Sequence, residues 1–154
     1  MSEKLHPKTA DDLRELMGRA IGPSSWQQIT QEKINAFAEL TGDRQWIHVD
    51  PERAATSPFG GTIGHGLFTL SLGPMLTEEL MDFGGFAHSL NYGYQKVRFP
   101  SPLPVDSRIR MSFEITDVAD VKGGIQLTMT QTFERDGQEK PVCVAESLGR
   151  FVEA

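Results

Sequence analysis

Three stretches in the second half of the chain place apolar side chains at every second position: residues 86–94, 108–116 and 125–134. This period of two is typical of antiparallel strands that bury one face and leave the other face in water. Gly123-Gly124 and Asp136-Gly137 separate the later stretches and predict hairpin turns. Residues 142–152 form a last predicted strand, so the pattern indicates a sheet of long antiparallel strands.

A different pattern occupies residues 66–81, where apolar side chains lie on nearly every side of a predicted helix. Its charged residues, Glu78 and Glu79, come late. A helix that is apolar almost all round is typical of the centre of a fold. Pro74 predicts a kink or the start of a second helical segment. Together, the two patterns predict an α+β fold in which an antiparallel sheet wraps around a central buried helix.

Shorter elements are predicted ahead of the central helix. The first helix lies within residues 9–17, the second runs from Thr30 to Gly42, and the third begins at Asp50-Pro51. A short strand is predicted within residues 26–29. The polar and irregular stretch between the second and third helices is therefore a connection rather than part of the core.

The predicted sheet is open, and an open sheet leaves unpaired backbone groups along its outer strands. Pairing one edge with a second copy across a two-fold axis would remove that edge from water. We therefore expect a homodimer.

Composition narrows the class of protein further. The chain has 154 residues, the usual size of one domain, so we expect residues 1–154 to form a single domain. The net charge is −6, which argues against nucleic acid or an anionic membrane as the main partner, because both bind clustered positive charge. The lone Cys143 allows neither an internal disulfide nor a zinc site built from several cysteines.

The sequence predicts neither a membrane span nor a secretion signal. The longest apolar stretch, residues 67–76, is interrupted by polar residues and is much shorter than the ~20 residues that a span needs. Residues 1–10 include charged side chains and no apolar run, unlike a signal peptide. We therefore expect a soluble cytoplasmic protein.

The connection over residues 40–48 carries a candidate catalytic pair, Asp43 and His48. A carboxylate orients an imidazole and fixes its tautomer. Two such groups also hold one water between them, with one accepting a proton as the other donates one. The structural alternative is that Asp43 caps a turn and His48 is a hydrogen-bonded loop residue.

Gly64-His65-Gly66 stands at the start of the predicted central helix. The first amides of a helix have no partner within it and point along the positive end of its dipole. Gly66 has no side chain, so a carbonyl oxygen can approach its N–H closely, as in an oxyanion hole for a thioester. The structural alternative is that these glycines only let the chain turn sharply into the core.

Taken together, these motifs resemble a known family. The stretch T-G-D-R-Q-W-I-H (residues 41–48), followed by Asp50-Pro51 and I-G-H-G (residues 63–66), is similar to the hydratase motif of MaoC-like (R)-specific enoyl-CoA hydratases, most of all NodN-like members. The family pattern is Gly-Asp-x-Asn-Pro-aliphatic-His, with a His-Gly opening the central helix. The resemblance covers roughly residues 26–110 and has two departures, Gln45 in place of Asn and Trp46 in place of Pro.

The resemblance implies a hot-dog fold and cofactor-free hydration of a trans-2-enoyl-CoA to an (R)-3-hydroxyacyl-CoA, reversible as a dehydration. It implies that Asp43 and His48 are the catalytic pair and that the Gly66 N–H binds the carbonyl of an acyl-CoA thioester. It implies no metal. Two alternatives remain: a hot-dog acyl-CoA thioesterase, and a non-catalytic acyl-thioester-binding subunit.

Four further residues are candidates for substrate binding. Gln45 carries the same amide as the family's Asn on a longer side chain, so it can reach the water or the substrate. Trp46 supports the loop or lines the acyl site, and His65 holds the loop beside it. Arg98 belongs to a local basic run that either contacts the phosphates of coenzyme A or is a solvated face.

Overall fold

Four long antiparallel strands form most of the fold of the computed structural model, which describes residues 3–154. They are β4 (Phe86–Arg98), β6 (Arg108–Val121), β7 (Gly124–Arg135) and β8 (Cys143–Glu153). The sheet has the order β1-β6-β7-β8-β4, with the short strands β1 (Ala20–Ile21) and β2 (Gln27–Gln28) both pairing with β6. Two more short strands, β3 (Ile63–Gly64) and β5 (Leu103–Pro104), pair with each other.

The described residues 3–154 form six helices, all before the first long strand: α1 (Ala10–Glu15), α2 (Gln31–Thr41), α3 (Trp46–Val49), α4 (Pro51–Ala55), α5 (Gly66–Ser71) and α6 (Gly73–Leu80). The predicted starts of three helices agree with their N-caps, because the side chains of Thr9, Thr30 and Asp50 each accept a hydrogen bond from the backbone of the first helical turn. Gly42 ends α2 in the left-handed conformation, with φ of 80°.

One helix is missing from the sequence-based expectation. Residues 46–49 were expected to belong to an irregular connection, and the structure forms the single helical turn α3 there. Its N-cap Gln45 makes no side-chain capping bond, so no start signal marks this turn. Instead, α3 contacts α2, α4 and β3. This tertiary packing stabilises a helical turn that is too short to form alone.

The central helix is divided into two, α5 and α6, with Leu72 between them and Pro74 in the first turn of α6. This confirms that Pro74 begins a second segment. Leu76 and Leu80 are buried against the sheet, whereas Leu67 and Met75 are exposed. The prediction of burial on every side is therefore wrong for those two positions, because the sheet of this chain covers only one side of the helix pair.

Strands β6 and β7 confirm the alternating pattern, with the apolar positions buried in both: Ile109, Met111, Phe113, Ile115, Ile125, Leu127, Met129 and Phe133. The same expectation is wrong for β4, where Phe86 is buried but Leu90 and Tyr92 are more than 60% exposed and His88 is also exposed. The reason is position: β4 ends the sheet and pairs only with β8, through three register irregularities that break the alternation.

No helix within residues 3–154 combines the length and the apolar character needed to cross a lipid bilayer.

Cys143 begins β8 and is fully buried, and this burial raises the pKa of its thiol to about 12. Since the thiolate is the reactive form, we expect no labelling of the native protein by a thiol reagent such as dithionitrobenzoate at neutral pH. The denatured chain should release one thionitrobenzoate per chain, and Cys143→Ala none. Rapid labelling of the native protein would contradict the buried position of this residue.

Candidate active site

His48, predicted as one half of a catalytic pair, lies in α3 and is only 7% exposed. Its Nδ1 is 2.7 Å from the backbone carbonyl oxygen of Ile63 in β3. A carbonyl accepts but never donates, so Nδ1 carries the proton and Nε2 has a free lone pair. Burial lowers the pKa of His48 below its usual value. The ring is therefore neutral near pH 7, with Nε2 able to accept a proton.

His65 packs directly on His48, since the two rings are stacked with centroids 3.7 Å apart. The Nε2 of His65 donates to the backbone carbonyl of Asp43 at 3.0 Å. This bond ties the loop that carries Asp43 to the start of α5. The expectation that His65 holds the loop agrees with this geometry. Its other nitrogen, Nδ1, is buried and has no hydrogen-bond partner within residues 3–154.

Asp43 stands at the rim of the site, with 57% of its side chain exposed. One carboxylate oxygen of Asp43 and one ring nitrogen from each of His48 and His65 all lie within 4.8 Å of one another. The Asp43 Oδ1 also accepts from the Gln45 N–H at 3.4 Å, so the expected turn-capping contact is present as well. A carboxylate and an imidazole at this spacing are groups that hydrogen-bond a water, and the three residue types together are also ligands of divalent cations.

A cavity of about 310 Å³ opens beside His48. Gly66, the first residue of α5, lines the same cavity, together with Thr69 one turn further along. A residue at this position has no carbonyl partner for its N–H inside the helix, so the Gly66 N–H is available to a ligand. The structure thus brings together His48 and Gly66, which are separated by a loop, a helix and a short strand in the chain.

Phe99 lines the same cavity and lies directly beside Gly66. A Cβ atom at position 66 would lie 2.9 Å from three atoms of the Phe99 ring, closer than side chains approach one another. The close contact with Phe99 therefore favours glycine at position 66. Nothing in the sequence singled out Phe99.

The other substrate-binding candidates lie outside the cavity. Gln45 is exposed, and Trp46 packs under the guanidinium of Arg53, which is 4.3 Å from the centre of the indole ring. Arg98 ends β4 next to Phe99, is exposed, and donates to the Val97 carbonyl at 2.9 Å. Of these three, Arg98 is connected to the cavity only through its neighbour in the chain.

Gln31 is a further residue of the site that the sequence did not reveal. Its Nε2 donates to the backbone carbonyl of His48 at 2.7 Å, and its Oε1 accepts a hydrogen bond from the hydroxyl of Thr62. Gln31 thereby joins α2, α3 and the segment before β3, which positions the ring of His48. A glutamine in the first turn of a helix has no distinguishing pattern in sequence.

Several known proteins resemble this chain in sequence and in fold. A model of the MaoC-like domain matches residues 12–136. The 3-hydroxyacyl-thioester dehydratase Z of Mycobacterium tuberculosis is 50% identical over 142 residues, covering 92% of this chain and 94% of that protein. Nodulation protein N of Rhizobium meliloti is 38% identical over 149 residues, covering 92% and 89%. The solved structure of the R-hydratase PhaJ1 from Pseudomonas aeruginosa superposes with a TM-score of 0.73 at 20% identity, covering 96% of this chain and 87% of the other.

The chain has the hot-dog fold, and it belongs to the MaoC-like dehydratase family. The relatedness to MaoC-like and NodN-like proteins that the motifs indicated is confirmed. Membership of this family makes the chain a hydro-lyase.

Gly66→Ala tests the contact between Gly66 and Phe99. The added methyl group must push the Phe99 ring away, and because Phe99 is itself partly exposed, we expect a loss of only about 1 kcal/mol in the free energy of unfolding. The displaced ring should be visible as shifted Phe99 aromatic resonances in NMR spectra. Gly61→Ala is the control, since a Cβ there meets nothing within 4 Å. Unmoved Phe99 resonances in Gly66→Ala would contradict this packing.

Proposed function

We propose that the protein catalyses the reversible, (R)-specific hydration of a trans-2-enoyl-CoA to an (R)-3-hydroxyacyl-CoA, without a cofactor. One observation carries the proposal: the neutral His48 ring, close to the Asp43 carboxylate, lines the same cavity as the Gly66 N–H. The relatives named as a 3-hydroxyacyl-thioester dehydratase and an R-hydratase support the same reaction. Hydration of an α,β-unsaturated thioester needs a water-activating group and a donor to the carbonyl, and both types of group are present here.

The Gly66 N–H acts on the thioester carbonyl. In the proposed complex this carbonyl accepts the Gly66 hydrogen bond, which draws electron density from the conjugated double bond. The bond strengthens as the carbonyl oxygen gains enolate character, so the transition state is stabilised more than the substrate.

Asp43 and His48 act on the water. They hold one molecule between the carboxylate and the free lone pair of Nε2, and its oxygen bonds to C3 of the substrate. One water proton passes to the Asp43–His48 pair, and one proton passes from the pair to C2 on the same face, so the net change is the addition of H₂O. The two groups titrate as a coupled unit, so the role of base is not assigned to one of them alone.

The remaining candidate residues have supporting roles in this proposal. His65 positions Asp43 through the bond to its carbonyl. Gln45 and Trp46 lie outside the cavity beside His48, and in this proposal they contact the part of the substrate that extends beyond it. Arg98 binds the phosphates of coenzyme A beyond Phe99. Residues 1–154 act as one domain, supported by the bond from the Ala10 N–H to Glu153 at 2.6 Å, which ties the two ends of the chain together.

A homodimer joined along β4 is part of the same proposal. β4 has one unpaired edge among the strands of residues 3–154, and Leu90 and Tyr92 on it are 63% and 61% exposed. Exposed apolar and aromatic side chains along a free strand edge are typical of an interface. Pairing two β4 strands across a two-fold axis satisfies the free backbone groups and buries these side chains.

Leu90→Glu tests this interface. The new carboxylate faces Arg150, its cross-strand partner, so the single chain should remain folded, whereas the proposed dimer would have to bury the charge in its interface. We expect sedimentation to give the mass of one chain, 17.1 kDa, for this variant and twice that mass for the parent protein. Thr116→Glu, on the exposed side of β6, should remain dimeric. A dimeric Leu90→Glu would place the interface elsewhere.

Asp43→Asn and His48→Gln test the chemistry. Each removes the proton-transfer capacity of one group at little change in volume, and we expect turnover of crotonyl-CoA to fall on the order of 10²–10⁴-fold. The assay follows loss of the double-bond absorbance in a buffer containing a chelator, with product chirality determined. Asp50→Asn is a matched control, since Asp50 only caps α4.

The same assay separates the alternatives. Unchanged turnover in folded Asp43→Asn and His48→Gln would overturn the assignment of these residues. Release of free thiol without hydration would indicate a thioesterase, and tight binding without turnover would indicate a non-catalytic subunit. Loss of activity in the chelator that added zinc restores would show that Asp43, His48 and His65 hold a metal.

A further inference from the structure

The hydrogen bond between His48 and Ile63 fixes which nitrogen of the imidazole carries the proton. The Nδ1 of His48 lies 2.7 Å from the Ile63 carbonyl oxygen, so Nδ1 is protonated and Nε2 keeps the lone pair that the proposed reaction uses. In the other tautomer, Nε2 would carry the proton and could not accept one from water. The proposed reaction therefore depends on keeping this ring and this carbonyl in contact.

The two sides of this hydrogen bond belong to different short elements. His48 lies in the four-residue helix α3, and Ile63 begins the two-residue strand β3. The strand pairs with β5, and the Val105 N–H donates to the Thr62 carbonyl just before it at 2.9 Å. In contrast, α3 has no side-chain cap at its N-terminus. The position of α3 relative to β3 therefore depends on bonds from other elements.

Gln31, the first residue of α2, joins the two sides by a second route. Its Nε2 donates to the backbone carbonyl of His48 at 2.7 Å, and its Oε1 accepts from the hydroxyl of Thr62. Since Thr62 directly precedes Ile63, the bonds form a closed circuit from the His48 ring to Ile63, along the chain to Thr62, and through the Gln31 amide back to His48. Moving α3 away from β3 would therefore lengthen more than one bond of this circuit.

Both hydrogens of the Gln31 amide are used within the chain. Its Nε2 donates to the Asn35 Oδ1 at 2.9 Å as well as to the His48 carbonyl. An amide nitrogen carries two hydrogens, so none is left for a ligand. Neither Gln31 nor Thr62 lines the cavity beside His48. The two residues can therefore influence the substrate only through His48.

The circuit is largely shielded from water. Thr62 is 1% exposed and His48 is 7% exposed, whereas Gln31 is half-buried. Removing one partner of a buried hydrogen bond leaves the other without a partner and without water to replace it. The loss of either side chain of the circuit should therefore shift α3 rather than leave its geometry unchanged.

We propose that Gln31 and Thr62 are positioning residues that hold His48 in the tautomer with a free Nε2, by fixing α3 against β3. The inference rests on the proposed function, because the free Nε2 matters only if His48 accepts a proton during turnover. Neither residue belongs to the motifs at residues 41–48 and 63–66, so the circuit extends the site beyond them.

Gln31→Met and Thr62→Val test this role, because each removes hydrogen bonds of the circuit at approximately constant volume. The groups that bind the thioester stay in place while His48 is misplaced. We therefore expect kcat for crotonyl-CoA to fall about 10-fold to 100-fold, with KM unchanged within about twofold. Thr62→Ser keeps the hydroxyl and should retain most of the parent kcat. Circular dichroism establishes that each variant is folded.

Gln28→Met is the matched control. Gln28 is exposed and its amide also donates to a backbone carbonyl, that of Asp106 at 2.8 Å, but it belongs neither to the circuit nor to the cavity beside His48. The same substitution at this position should keep the parent kcat.

The tautomer is read from nitrogen NMR spectra of the histidine side chains at a pH where the ring is neutral, because protonated and unprotonated ring nitrogens differ in chemical shift. The signals that disappear in His48→Gln identify those of His48. We expect a protonated Nδ1 in the parent protein and in Thr62→Ser, and a mixture of tautomers in Gln31→Met and Thr62→Val. A loss of stability alone would leave this spectrum unchanged in the folded chain.

Three results would overturn the inference. The first is a parent-like kcat in folded Gln31→Met and Thr62→Val. The second is a fall in kcat while the His48 spectrum stays that of the parent, and the third is an equal fall in Gln28→Met. If the parent protein does not turn over crotonyl-CoA, the proposed function fails, and the His48 spectra of the variants alone decide whether Gln31 and Thr62 fix the ring.

Discussion

The packing of α5 and α6 against one face of the sheet is the constraint on which the rest of this structure depends. Leu76, buried in α6, and Phe133, buried in β7, belong to the core that forms between these layers. Because the helix pair follows directly from β3, its position fixes the turn through His65 and Gly66 at one end. At the other end it places Thr77 against Gln131. The candidate active site therefore lies at one end of this buried helix pair.

Backbone carbonyls, rather than side chains, hold the two histidines. The Nδ1 of His48 is bonded to the carbonyl of Ile63, and the Nε2 of His65 to that of Asp43. Such bonds depend on the path of the main chain and not on which residues flank it. This explains why the departures from the family motif at Gln45 and Trp46 are compatible with the site: neither side chain lines the cavity beside His48.

The proposed dimer gives the exposed strand β4 a role in the proposed function. In the single chain, β4 is the least buried long strand. A partner along β4 would cover the open side of this strand. The apolar side chains of β4 would therefore be buried only in the dimer. The alternating pattern in the sequence does not show whether the same chain or a second copy buries them.

Local patterns in the sequence determined the caps of α1, α2 and α4, the alternating strands β6 and β7, and the division of the central helix at Pro74. Each of these follows from interactions between neighbours in the chain, so one sequence is sufficient to predict them. The motif over residues 41–48, together with His65 and Gly66, also pointed to the family, because residue types at fixed spacing are a local property.

Other features of the fold and of the site were decided by tertiary structure alone. The turn α3, the close contact of Phe99 with Gly66, the bonds of Gln31 and the exposure of Leu90 depend on elements distant in sequence. Gln131 shows the same limit, since it occupies an inward position of an alternating strand and sequence alone predicts only that it is buried. That its Oε1 is buried without a partner follows from where α6 packs, because hydrogen-bond satisfaction is a property of three-dimensional neighbours.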